Sequence, residues 1–207
     1  MTDARTIGRV LARARSTMGA FARDRRGVAA LEFAFVVPIL LCIYFMTMEL
    51  SQGIETNKKL GRAGNLVGDL VTQQAELTSS EIDGILMIGE ALLQPYNRSS
   101  PEITVTAINI QRSTTTNQLT GKVAWQRRMA DGAFNSSSET EVDVPDFLRT
   151  EGAFIIRVDA ALDYKPVLLN AAEGRALGVG AAFDGIAMDE TYFMRPRRST
   201  TITCSGC

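Results

Sequence analysis

The chain shows three hydrophobic rhythms in succession, and each predicts a different element. Residues 28–48, VAALEFAFVVPILLCIYFMTM, carry a single charge, Glu32. As a helix this run is long enough to cross a hydrocarbon core of about 30 Å. Pro38 falls inside it, which a spanning helix tolerates and which predicts a kink. Beyond the run, Leu50, Ile54, Asn57, Gly61, Gly64, Gly68 and Val71 share one helical face, so the helix is expected to continue past the apolar segment. Gly64 and Gly68, four apart, would leave a shallow groove for close backbone approach. Each glycine costs about 1 kcal/mol relative to alanine in a helix, so a glycine-punctuated loop is the competing reading.

A second helix is marked by its own start and stop. Thr78 and Glu81 form a capping-box pattern, and Ile82, Ile85, Leu86, Gly89, Leu92 and Leu93 follow at helical spacing. Pro95 ends it. A stripe of this kind reads as core.

The period then shortens to two. In PEITVTAINIQ, Ile103, Val105 and Ala107 share one phase and Ile108 and Ile110 the other, as a bulge would require. TTTNQLTG is a turn, and KVAWQRR is its expected hairpin partner. FIIRVDAALDYK puts Ile156, Val158, Ala160, Leu162 and Tyr164 on one side, with Arg157, Asp159, Asp163 and Lys165 mainly opposite. Residues 168–187, rich in Ala and Gly, lack a strong period and read as an irregular or partly helical crossover. ETYFMRPRRSTTITC closes the chain as a final strand, with Pro196 at an edge or a break. The fold class is therefore α+β: a single-pass N-terminal membrane helix that extends beyond the membrane, a short second helix and an antiparallel sheet of about four strands. Its outline is pilin-like. The parts are a basic leader at 1–27, a transmembrane helix at 28–48 and an exported domain at 49–207.

Charge sets the direction of the anchor. Residues 1–27 hold seven arginines against Asp3 and Asp24, whereas residues 49–207 hold 15 basic and 20 acidic side chains. Arg23, Arg25 and Arg26 lie directly before the span, so the positive-inside rule keeps the N-terminus cytoplasmic and exports the rest. A localised basic arm without a nucleic-acid-binding signature argues against nucleic acid as a partner. The chain has no histidine, which removes the commonest general base and most zinc sites. The three cysteines have no four-ligand spacing, so neither a metal nor a cofactor is expected.

Glu32 is the costly residue. An acid at the centre of a membrane helix costs about 2.5–3.5 kcal/mol, and less near its edge. A cleaved secretory signal would have a shorter apolar region and a small-x-small exit, which TMELSQG does not offer. A plain signal anchor accounts for everything except Glu32. Cutting between Gly27 and Val28 gives the carboxylate a use: the new ammonium at Val28 and Glu32 are then i and i+4 on one helix face. They can compensate each other within or between subunits and set the register of packed helices. A basic leader, Gly27, four apolar residues, Glu32 and an apolar helix resemble the type IV prepilin processing site.

The stretch RRGVAALEFAFVVPIL is similar to the start of TadE-like proteins, minor pilins of the tight-adherence (Flp) pilus system. The resemblance extends through GKVAWQRR, VDVPDFL, FIIRVDAALDYKPVL and YFMRPRRSTTITC, in the order found in alphaproteobacterial members. Trp125, Pro145, Leu148, Tyr164, Pro166, Arg195, Pro196 and Arg197 occupy the family's Trp strand, Pro-x-x-Leu loop, Tyr-x-Pro strand end and terminal Arg-Pro-Arg. The chain is longer than the major Flp pilin and too short for the von Willebrand-type domain of many TadG proteins. Phe33 stands where the major pilin and several relatives have Tyr. The resemblance implies a pseudopilin of the bacterial inner membrane, not an enzyme, acting in pilus assembly or initiation. It implies processing at Gly27, Val28, Glu32 and Phe33. Its expected partners are the prepilin peptidase, a TadF-like minor pilin, the inner-membrane platform and the major Flp pilin.

Two other classes stay open. A signal-anchored periplasmic enzyme would use Asp143/Asp146 or Asp159/Asp163, although solvated charge on an amphipathic strand explains the second pair. An anchored envelope-interaction module, not incorporated into a pilus, would use Tyr192, Phe193 and the arginines at 195–198. Cys204 and Cys207 fall on the oxidising side, where a small structural disulfide, an intersubunit bridge and a redox C-x-x-C compete. The staple fits a chain end after TTIT best.

Overall fold

The computed structural model describes residues 26–113, 117–136, 139–166 and 185–207. Arg23 and Arg25, with the rest of the leader before Arg26, lie outside them, as does most of the crossover expected at 168–187. The first element is a continuous helix, α1 (Arg26–Thr72), of 47 residues, which runs on through Pro38. The chain divides into two units, residues 1–48 and 49–207.

In the first unit the described helix is bare. Leu31, Phe33, Phe35, Leu40 and Met46 are all exposed, and the most apolar window has a mean hydropathy of 2.4 with none of it buried. Length and composition fit a single-pass membrane anchor.

The second unit is α+β. After α1 come β1 (Glu76–Thr78), α2 (Ser79–Ala91), β2 (Glu102–Arg112), β3 (Leu119–Ala130), β4 (Ala133–Asn135) and β5 (Glu141–Val142). A 3₁₀ turn at Asp146–Leu148, β6 (Phe154–Tyr164), β7 (Ile186–Met194) and β8 (Thr203–Ser205) complete it. The main sheet is antiparallel in the order β4-β3-β2-β6-β7, with β5 also paired to β3. The predicted hairpin and the FIIRVDAALDY strand are thus its centre. α2 begins as its sequence demands: the Thr78 hydroxyl accepts from the Glu81 amide, and the Glu81 carboxylate accepts from the Thr78 amide. Ile82, Leu86 and Gly89 are buried. Arg127 of β3 forks onto Asp83 of α2 with bonds of 2.7 and 2.8 Å, fastening that helix to the sheet.

Both faces of the sheet are covered. On one, Ile103, Val105 and Ala107 of β2 and Ile156, Val158, Ala160 and Leu162 of β6 pack with Leu60, Val67, Val71, Ile82 and Leu86 from the helices. On the other, Ile108, Ile110 and Ile155 meet Val142 and Val144, with Leu148 and Phe193 at the margin.

This arrangement corrects three expectations. The phase change in β2 does not come from a bulge in β2, whose pairing with β6 is unbroken from Glu102 to Asn109. It comes from burial of alternate residues on both faces. The bulge lies opposite: Ala107 faces Trp125 and Ile108 faces Val123, so Ala124 of β3 is the extra residue. The buried face of α1 is also rotated from the predicted one. Gly64, Gly68 and Val71 are buried as expected, but Leu60, Ala63 and Val67 are buried beside them, whereas Leu50 and Ile54 are exposed. Finally, the last long strand starts at Ile186 and stops before Pro196. The remaining chain leaves the main sheet, and β8 pairs in parallel with β1.

The glycine groove of α1 is filled from within the domain. A Cβ on Gly64 would stand 3.1 Å from the Tyr192 ring, and one on Gly68 would stand 2.7 Å from Met194 Sδ and 3.2 Å from Val158. Glycine at these positions lets β6 and β7 seat against the helix backbone.

Candidate functional site

The residues expected to form a processing site lie at the start of α1. Gly27 is in its first turn, and a Cβ built there would have nothing within 4 Å. Val28, Glu32 and Phe33 are exposed, and the helix places Val28 and Glu32 one turn apart on one face. The side chains that would flank a cut between Gly27 and Val28 are thus accessible, and a carboxylate stands within reach of the amine such a cut would create. Arg26 begins the helix.

At the start of the second unit, α1 is held by an aromatic clasp that spacing along the chain does not reveal. Tyr164, at the end of β6 and 1% exposed, donates its hydroxyl to Glu49 Oε1 at 2.8 Å. Its ring lies 3.7 Å from where a Cβ on Gly53 would be. The Tyr96 ring stacks on it with centroids 5.4 Å apart, and the Arg98 guanidinium lies over both rings. Tyr96 also accepts from the Lys165 amide at 2.9 Å. Burial, and then the neighbouring Glu49, push the Tyr164 hydroxyl up to about 12. Tyr164 therefore remains a neutral donor, and its part in the Tyr-x-Pro motif is to clasp the helix.

The other end of α1 is pinned by the terminal motif. The Arg197 amide donates to Thr72 O at 2.9 Å, satisfying a carbonyl in the helix's last turn, and the guanidinium pairs with Asp69 at 2.7 Å. Trp125 Nε1 donates to Ile202 O at 2.8 Å in the core, holding the segment that leads to β8. Cys204 and Cys207 are bonded to each other, with Cα atoms 5.7 Å apart, and Cys42 is a free, exposed thiol.

The acidic pairs have ion-pair partners. Arg149 bonds Asp143 at 2.6 Å and Asp146 at 2.9 Å, and both carboxylates are more than nine-tenths exposed. Asp159 is held by Arg157 and Thr191, while Asp163 faces solvent. Tyr192 covers Gly64 of α1, and Phe193 lies at the margin of the second apolar cluster. Sequence reasoning missed Glu49, Tyr96 and Arg98; the one local signal was an aromatic and a cation two residues apart after Pro95.

Residues 27–63 match the family model described as TadE-like protein. The match covers 37 of the 207 residues. No curated protein and no solved structure matches the chain.

Proposed function

We infer that this chain, which carries the TadE-like signature from Gly27 through the start of its exported helix, is a minor pilin of a Tad-type pilus. It has no catalytic role in this reading. Prepilin peptidase removes the basic leader, the apolar helix remains in the inner membrane, and the α+β domain faces the periplasm. The chain then acts in assembly or initiation with a second minor pilin, the inner-membrane platform and the major pilin.

One observation carries this reading: the family match begins at Gly27, the residue where charge gives way to hydrocarbon, with Glu32 five residues beyond. The bare surface of the helix supports it. An exposed apolar helix must be covered by lipid or by neighbouring helices, and an acid near its start gives those neighbours a point of register. The pinning of both ends of the exported α1 segment supports it as well, because force on the helix would pass into a braced domain. The test is removal of the chain from cells that make the pilus. The minor-pilin reading expects loss of piliation that the intact chain restores and a Gly27-blocked chain does not. Normal piliation without the chain would refute it and favour an anchored envelope-interaction module.

A further inference from the structure

The second face of the sheet presents a large apolar side chain to solvent. The 3₁₀ turn at Asp146–Leu148 sets Leu148 at the margin of the second apolar cluster and leaves Phe147 outside it. Phe147 is 83% exposed, more than any other large apolar side chain among the described residues, those of the apolar run included. The turn that carries it is closed. Leu148 N–H donates to Pro145 O at 2.9 Å and Arg149 N–H to Asp146 O at 3.1 Å, while Arg149 Nε donates to Val144 O. A ring held on such a turn gives up little freedom on docking, so it suits an anchor at an interface. Its surroundings are acidic. Residues 139–148 carry four acids and no base. Arg149 bridges Asp143 and Asp146, and Lys122 stands across from Glu141 in the β3–β5 pair, so four acids face two cations and the patch stays negative.

The complementary surface lies on the first face, where α1 rests against β7. A groove of about 510 Å³ there is lined by Lys58, Arg62 and Leu66 of α1 and by Glu190 and Tyr192 of β7. Its acids are engaged: Glu190 accepts from Asn57 at 3.4 Å, and Asp69 pairs with Arg197 at 2.7 Å. Its cations are not. Lys58 and Arg62 are exposed and make no ion pair or hydrogen bond through their side chains among the described residues. The chain thus has an aromatic knob in an acidic surround and a cationic groove with Leu66 and Tyr192 in its walls. The two lie on opposite faces of one sheet, so a single copy cannot bring them together. Contact between unlike patches on separate copies is heterologous, and repeated it builds a ring or an open filament. Two-fold pairing through the Phe147 patch would set acid against acid, which disfavours it.

We propose that Phe147 of one copy of this chain docks in the α1–β7 groove of a second copy, with Asp143 and Asp146 set against Lys58 and Arg62. The proposal concerns residues 49–207 alone and rests on neither the anchor nor the minor-pilin reading. Two differently tagged full-length copies are made in one cell, one of them with photoreactive p-benzoylphenylalanine in place of Phe147. Irradiation of the cells is expected to yield an adduct carrying both tags, with the modified site of the second copy at 58–66 or at Tyr192. Lys58→Glu with Arg62→Glu in the second copy should lower that adduct about ten-fold, and Asp143→Lys with Asp146→Lys in the photoreactive copy should restore it. If the loop variant misfolds once Arg149 loses its partners, the drop in the groove variant, at a melting temperature equal to the parent's, still decides. The absence of a doubly tagged adduct overturns the proposal, as does an adduct confined to lipid, to another protein or to a different surface of the second copy. An adduct indifferent to the groove charges overturns it too.

Discussion

Glu32 stands exposed near the start of α1, one turn from Val28, with no charged partner among the described residues. If its use is to meet the Val28 ammonium of its own or a neighbouring helix, Glu32→Gln should insert into membranes at least as well as the parent chain. Losing a charge removes part of the insertion cost, so poor insertion cannot account for a defect. Piliation should nevertheless fail; electron microscopy or shearing of cells carrying the variant checks this, and normal fibres would make the carboxylate incidental. Tyr164 makes a separate prediction. Its hydroxyl, raised from about 10 when unfolded to about 12 when folded, favours the neutral form in the native state. That stabilisation is fully present below pH about 10 and is lost as pH rises toward about 12. Tyr164→Phe should cost about 1–2 kcal/mol at neutral pH through loss of the bond to Glu49, and the gap between variant and parent should narrow over that alkaline window. Denaturant melts at pH 7 and pH 11 measure both effects.

At the scale of elements, the glycines of the two helices have different roles. Gly64 and Gly68 are contact points for Tyr192 and Met194, while Gly84 in α2 has nothing within 4 Å of a Cβ. Gly68→Leu should therefore overpack the helix–sheet seam and destabilise the exported unit by about 1–3 kcal/mol. Gly84→Ala should stabilise it by about 0.5–1 kcal/mol through helix propensity alone. Chemical denaturation of the two variants would show opposite signs, and a neutral Gly68→Leu would mean the groove serves another subunit instead. What the sequence made legible follows the same division between local and distant causes. The capping box of α2 and the alternation of β6 are decided by neighbours along the chain, and both were readable. On α1 the glycine pair Gly64 and Gly68 is buried as its spacing predicts, yet the sheet also lands on Leu60, Ala63 and Val67, which turns the buried face away from Leu50 and Ile54. The second covered face behind Ile108 and Ile110 depends on residues 142–144, some 30 positions away, so its signal resembled a bulge. The true bulge, at Ala124, had no signature because a small apolar residue fits either face. The clasp of Glu49, Tyr96, Arg98 and Tyr164 joins three distant segments, and no spacing could have announced it.

Under the proposed function, the basic leader, the uncovered apolar helix and the braced α+β unit belong to three successive settings: cytoplasm, membrane and periplasm. The Arg-Pro-Arg end, the Trp strand and the Tyr-x-Pro strand end each contribute a restraint on the exported helix or on the terminal segment beside it. Under the proposed function the motifs that suggested the family therefore hold the helix, while the processing site at its other end admits the chain to assembly. The most direct measurement is the intact mass of the protein recovered from sheared pili and from membranes of the same cells. The account predicts a chain that begins at Val28, lacking all seven leader arginines. A protein that retains its arginine arm in fully piliated cells would contradict it.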